Sequence, residues 1–536
     1  MNLYYLIVVI VLYLGVIGYL GYRGYAKTRN SVDYMLGGRQ IHPFVMAMSY
    51  GATFISTSAI VGFGGIAAQF GMSLLWLAAA NIAVGVFIAF IVFGKRTRKM
   101  GLNLDAHTFP ELLGRRMDSR FIQRFMGLII FIFMPLYAAA VLIGASRILE
   151  GLLGIPYLYS VVIFSVLVAA YVILGGLKGV MYTDALQGTL MFAGMLVLFI
   201  VIYSTLGGVG AAHRSLTDLA HLVPEGLKNI GHRGWTASPA GGSPLWWVIY
   251  SSLVLGVGIG VLAQPQLVVR YMTVKSDKEL NRAVLIGAIF ILFTVGTTYI
   301  VGPLTNVYFF RKFGMIAIEA VQGNPDKVMP LFIKEALPAW FGYLFMLVIL
   351  SAGMSTLSSQ FHAIGTSIGR DVFSSGKTDE QASSKQVSSK EVLVTRIGIV
   401  ISILATVFLG LKMGGGVIAR ATAIFFGLMA ASFLAPYTAA LYWKKLTRKG
   451  AIAGIVSGIV TAVFCFLFLH GKEAAVFGLC KAITGKDTLL GGVWTSVDPL
   501  VFALPISIIF TVLVSLFTPV ENKERVEKSF SGIHGR

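Results

Sequence analysis

Charge is scarce in this chain. Of its 536 residues only 12% are Asp, Glu, Lys or Arg, and the acidic ones number 23 against 43 basic. Soluble globular chains carry about 25% charged residues, so the polar surface that water demands is missing. Cysteine is nearly absent as well. Cys465 falls in an apolar segment and Cys480 in an expected external loop, a pairing that excludes a disulfide framework. The chain also lacks a metal-ligand cluster, a phosphate loop ending in Gly-Lys-Ser/Thr and a nucleophile elbow, so no enzyme class is indicated. The N-terminal stretch has neither a basic leader nor an A-x-A-like cleavage site, and its apolar run exceeds a signal-peptide core. It reads as a retained first helix.

What the chain has in excess is apolar surface. Hydrophobic residues make up 56% of it, with a mean hydropathy of +0.81. Lipid must be part of the solvent, and the 61 glycines agree with that, since membrane helices use Gly freely. In a soluble protein a net charge of +20 would point to nucleic acid. Here the basic residues punctuate apolar spans instead of forming one patch, as in short cytoplasmic loops, so no nucleic-acid partner is expected.

A spanning helix needs roughly 20 mostly apolar residues. That rule predicts an all-α integral membrane protein with about 13 transmembrane helices, near 2–22, 43–70, 73–94, 125–151, 156–176, 184–205, 245–269, 283–310, 339–369, 397–411, 417–443, 450–469 and 499–518. Placing the N-terminus outside puts most of the 43 Lys and Arg on the inner side, including the runs at 95–99 and 444–449. The positive-inside bias therefore predicts a multi-pass protein of the cytoplasmic (inner) membrane, N-terminus out and C-terminus in. The division follows: 1–42, a first helix and internal loop; 43–205, spans two to six; 206–244, an external loop; 245–443, spans seven to eleven; 444–518, two further spans; and 519–536, a cytoplasmic tail. Segment 311–338 reads as an external stretch with helical character, and 374–391 as a flexible internal linker.

Two spans are unusual. SYGATFISTSAIVGFGGIAAQFG in the second and SSLVLGVGIGVLAQPQ in the seventh mix Gly, small residues and hydroxyls at mid-membrane depth. They stand five places apart in the order of spans, with four between them, so they cross in opposite directions. Interrupted helices in corresponding positions of two oppositely oriented halves point to an inverted-repeat transporter and its binding site, although glycines also serve close helix packing. A dehydrated monovalent cation needs neutral oxygens. Unwound carbonyls within 52–58 and the hydroxyls of 351–359 in the ninth span offer them.

At these residues the chain resembles a known family. GGLKGVMYTDALQ (175–187), QPQLVVRYM (264–272) and SAGMSTLSSQ (351–360) are similar, in order, to the sodium:solute symporter family, which includes proline, pantothenate and sugar symporters. The resemblance implies a five-plus-five inverted repeat, leucine-transporter-like, built from spans two to six and seven to eleven. It also implies a sodium site made by the carbonyls of Ala52, Ile55 and Ala352 with the hydroxyls of Ser355 and Thr356. Sodium is then a coupling ion, and no other cofactor is expected. Asp184 follows Thr183 where the sixth span is expected to begin. It reads as a helix cap and, through the resemblance, as a station on the sodium exit route. Arg270 reads as an interfacial anchor or an inner-gate residue, and His362 as a packing or proton-coupling group. Arg420 reads as a snorkelling side chain or an attractor of anions.

The substrate is expected beside the sodium. Polar candidates are Thr53, Ser56, Ser58, Asn81, Tyr250 and Gln264. Where sugar and proline members carry large aromatic or amide side chains, the matching positions here are Ser58, Val257 and Gly260. The second-span string ATFISTSAIVG resembles the pantothenate and monocarboxylate branch, and a half-helix N-terminus can hold a carboxylate without Arg or Lys. The expectation is sodium-coupled import of a small organic carboxylate, with proline or another amino acid as the alternative. A proton-coupled symporter using His362 or Asp184, and a passive channel, are the competing classes.

Overall fold

The computed structural model describes residues 3–27, 31–373 and 389–533. Most of the linker expected at 374–391 therefore lies outside the described residues. No strand occurs among them, only an isolated parallel bridge of Ile41 with Val274. Ten of their helices are long and apolar enough to cross a membrane, or eleven if one bent pair counts as a single span. Two shorter apolar helices, Tyr157–Ala169 and Leu500–Leu516, coincide with the fifth and thirteenth expected spans.

We label the elements used below in chain order. These are α1 (Leu3–Ala26), α2 (Pro43–Phe54), α3 (Phe63–Phe70), α4 (Met72–Asn103), α5 (Phe109–Arg116), α6 (Arg120–Leu153) and α7 (Tyr157–Leu206). They continue with α8 (Pro244–Ala263), α9 (Pro265–Tyr271), α10 (Asp277–Phe313), α11 (Val328–Ala336), α12 (Trp340–Phe373), α13 (Leu393–Lys412) and α14 (Ile418–Tyr442). The last are α15 (Arg448–Phe468), α16 (Leu500–Leu516) and α17 (Lys523–Phe530). Side chains facing lipid, such as Val11, Leu285, Ile289, Leu404 and Phe408, are exposed and apolar. Polar residues concentrate in the interior, the reverse of a water-soluble fold.

The second span is broken. Pro43 opens α2, with the His42 side chain accepting from Phe44 N–H at 3.3 Å. The helix stops at Ile55, which is extended (φ −88°, ψ 95°). A short π-helical stretch, Ser58–Gly62, then leads into α3, and the two halves are bent by 52°. The seventh span breaks for a different reason. Pro265 disfavours helical geometry in the residue before it, and Gln264 is extended accordingly (φ −76°, ψ 117°), so α8 and α9 are separate pieces. Expected spans five and six differ from the expectation: helix runs from Tyr157 to Leu206 without a break. Thr183 consequently caps nothing. Its hydroxyl donates back to the carbonyls of Gly179 and Val180 within the helix.

At one end of the bundle, short helical segments between α10 and α12 pack on α3. A Cβ on Gly65 of α3 would lie 1.9 Å from the Pro325 carbonyl oxygen, so only glycine permits this approach. Asp326 is buried, and its carboxylate accepts from the N–H groups of Gly416 (2.8 Å) and Val417 (3.2 Å) where α14 begins. At the other end, α17 docks its Phe530 ring under Arg116 of α5, and Arg525 pairs with Asp118 at 2.8 Å.

Candidate cation site and solute cavity

A helix break strands the carbonyls of the preceding turn, and in lipid each needs another donor. In α2 these are Ala52 and Thr53. Ser355 Oγ donates to the Ala52 carbonyl at 2.8 Å, and Thr356 Oγ donates to the carbonyls of Thr53 (3.1 Å) and Ala52 (3.3 Å). Ser355 Oγ also lies 3.4 Å from the Ala352 carbonyl. Ala52, Ala352, Ser355 and Thr356 are all fully buried, and Ile55 is the extended residue at the break. Four of the five expected cation ligands are thus joined in one cluster of neutral oxygens, with the fifth at the discontinuity that creates it. This is a donor set suited to a small monovalent cation.

Below the cluster lies a buried ion pair. Arg270 on α9, only 1% exposed, donates to Asp184 of α7 at 3.0 Å. It also donates to Ser49 Oγ at 3.0 Å and to the hydroxyls of Thr53 and Ser359 at 2.6 Å each. Asp184 also accepts from Ser49 Oγ at 2.7 Å. Neither earlier structural reading survives: Asp184 is no helix cap and Arg270 no interfacial anchor. Together they tie α9 to α2, α7 and α12. Thr53, expected near the solute, belongs to this network instead. Arg420 does not snorkel either, because it pairs with buried Glu473 at 2.6 Å. His362 is buried beside Tyr34, their ring centroids 5.4 Å apart, and lines a small cavity with Arg270 and Gln266.

On the opposite side of the break is a second cavity of about 20 Å³. It is lined by Ser56, Asn81, Val257 and Thr422 among the rings of Phe54, Phe63, Tyr137, Tyr299 and Phe426. A volume of that order holds a water and no organic solute, so the cavity must widen to admit cargo. Ser56, Asn81 and Val257, expected near the solute, line this cavity together. Ser58 instead hydrogen-bonds Thr422 Oγ at 2.5 Å. Gly260 packs against the Phe426 backbone, where a Cβ would lie 2.8 Å from its carbonyl oxygen. Gln264 bonds the Gly260 carbonyl at 3.1 Å. Tyr250 is remote: it sits at the far end of α8, bonded to exposed Ser238 at 3.1 Å. The aromatic lining was missed in the sequence because Tyr137, Tyr299 and Phe426 sit on three different spans, none of them singled out by glycines. The extended residue Ile55 and the stranded carbonyls, by contrast, follow from local pattern.

The model of the sodium:solute symporter family matches residues 34–458. The chain belongs to this family. A sodium/proline symporter of Staphylococcus aureus is 28% identical over 465 residues, 85% of this chain and 85% of that protein. A solved Na⁺-coupled sialic acid symporter, in its substrate-bound outward-open state, matches with a TM-score of 0.73. The two are 20% identical over 96% of this chain and 98% of that one, a likeness of fold. As a sodium:solute symporter the chain is a multi-pass transmembrane protein of sodium-coupled solute transport.

Proposed function

We propose that this symporter imports a small organic carboxylate, of the monocarboxylate or pantothenate kind, with sodium held at Ala52, Ile55, Ala352, Ser355 and Thr356. The observation that carries the reading is the meeting of the Ala52 carbonyl with the Ser355 and Thr356 hydroxyls at the break in the second span. Thirteen spans, with 43–205 and 245–443 as inverted repeats and the N-terminus outside an inner membrane, complete it. The cation bridges α2 and α12, and the solute lies on the other side of the same break, in the aromatic cavity. No cationic side chain lines that cavity. A carboxylate there is held by the N–H groups that begin the outer half-helix after Ser56, with Ser56, Asn81 and Thr422 as hydrogen-bonding partners. Asp184, paired with Arg270, marks the inner route by which the ion leaves. Opening that side requires the pair to part, because it fastens α9 across the path.

A second reading, proline as cargo, is favoured by the relatives described as sodium/proline symporters. A zwitterion suits an aromatic cavity without fixed charge equally well. Counterflow in proteoliposomes, with monocarboxylates, pantothenate and proline offered with or without sodium, separates these solutes. Ser355→Ala with Thr356→Ala is expected to raise the sodium concentration for half-maximal uptake on the order of tenfold or more, two oxygen ligands being removed. Unchanged sodium activation in that variant would remove the site from consideration.

A further inference from the structure

Helix α1 lies outside residues 34–458, the range of the family match, yet it reaches the cation cluster through one side chain. Tyr4, Tyr5, Tyr19 and Tyr22 of this helix are exposed, whereas Tyr13 is 5% exposed. The Tyr13 hydroxyl sits 3.1 Å from Ser351 Oγ and accepts from Gln187 Nε2 at 3.0 Å. It lies 4.0 Å from Met354 Sδ as well. Ser351 and Met354 belong to the turn of α12 that contains Ala352, and the Ser351 carbonyl accepts from Ser355 Oγ at 2.8 Å. Gln187 stands one turn beyond Asp184 on α7. A single phenol therefore joins α1, α7 and α12 at the level of the neutral oxygens.

We propose that Tyr13 is a positioning residue for the cation site. Its hydroxyl holds the Ser351–Ser355 turn of α12 at the rotation and depth that keep the Ala352 carbonyl and the Ser355 hydroxyl directed at Ala52. It touches no ion itself. Leu6 and Ile17, on the same face of α1 as Tyr13, are buried as well, but apolar packing of that kind is non-directional. The hydrogen bonds of Tyr13 supply directional restraint that such packing lacks. This role rests on the sodium-site reading above.

The test is ²²Na⁺ binding to the purified full chain in detergent, with potassium as ionic-strength control, beside thermal melting without sodium. Tyr13→Phe keeps the ring and removes the hydroxyl. It is expected to raise the sodium concentration at half saturation about fivefold, the size of one net hydrogen bond, with the melting temperature little changed. Ser351→Ala should do the same, and the double variant no more than either alone, because both cut one connection. Wild-type affinity in Tyr13→Phe, or additive losses in the double variant, overturns the proposal. A fall in melting temperature with unaltered sodium affinity also overturns it, since that is what a merely structural tyrosine gives. If Tyr13→Phe does not fold, Ser351→Ala alone decides by the same two readouts. Ser355→Ala with Thr356→Ala separates the two claims: sodium binding retained there sinks the site itself, whereas binding lost there but normal in Tyr13→Phe sinks the role of Tyr13 alone.

Discussion

Single residues in this protein carry conflicting demands, and Asp326 shows how they resolve. Burial pushes its carboxyl up from 3.8 to about 6, against the pull of the Gly416 and Val417 N–H groups that it accepts from. A raised value means that the folded chain holds this proton more tightly than the unfolded chain. The contribution of Asp326 to stability is therefore fully present at low pH and is lost as pH climbs from about 4 to about 6. Asp326→Asn is expected to flatten the melting temperature across that window in the detergent-solubilised protein. A slope identical to wild type would contradict the assignment. Transport is expected to respond too, because the same carboxylate ties its segment to the start of α14, whose Thr422 and Phe426 line the aromatic cavity.

Between elements, one end of the bundle is locked by charge. Arg370, at the end of α12, donates to both carboxylate oxygens of Glu111 on α5 at 2.9 Å and approaches His107 Nδ1 at 2.8 Å. Arg115 joins the same carboxylate at 2.8 Å. Burial opposes ionisation of Glu111, but these cations prevail and hold it well below the usual carboxylate range. Glu111→Leu strands the Arg370 guanidinium in the interior and is expected to cost about 3–5 kcal/mol of stability. Adding Arg370→Leu should recover part of that loss, because the more deeply buried of the two stranded guanidinium groups is then gone. Thermal melting of the two variants checks the order. None of this was legible in the sequence: Glu111 and Arg370 are far apart in the chain, and a lone acidic residue in a basic loop carries no local signal. The break in the second span was legible from hydroxyl-rich, glycine-rich composition at a depth where Leu and Ile are usual; the one at Gln264 was not, since the expected seventh span ran through Pro265 to 269.

Across the whole molecule, composition anticipated the membrane and the broken second span, whereas about 13 spans were expected and ten or eleven of the described helices are long and apolar enough to cross. Periodicity did not reveal that Tyr157–Leu206 is helical throughout, nor which rings close over the cavity, since both depend on how distant spans meet. The narrowness of the cavity has a measurable consequence. Ser56→Cys, in a chain whose Cys465 and Cys480 are both free and buried, is expected to react with a membrane-impermeant thiol reagent at a rate that sodium changes and potassium does not. Equal rates in the two salts would mean that the ion leaves access to the cavity unaltered. The alcohols at the second-span break carry a further implication for the cycle. Because Ser355 and Thr356 donate to the carbonyls of Ala52 and Thr53 by themselves, the carrier owns a form in which these two carbonyls are satisfied without the ion. A return stroke without cargo is then open to it, and one set of oxygens serves both the loaded and the empty journey.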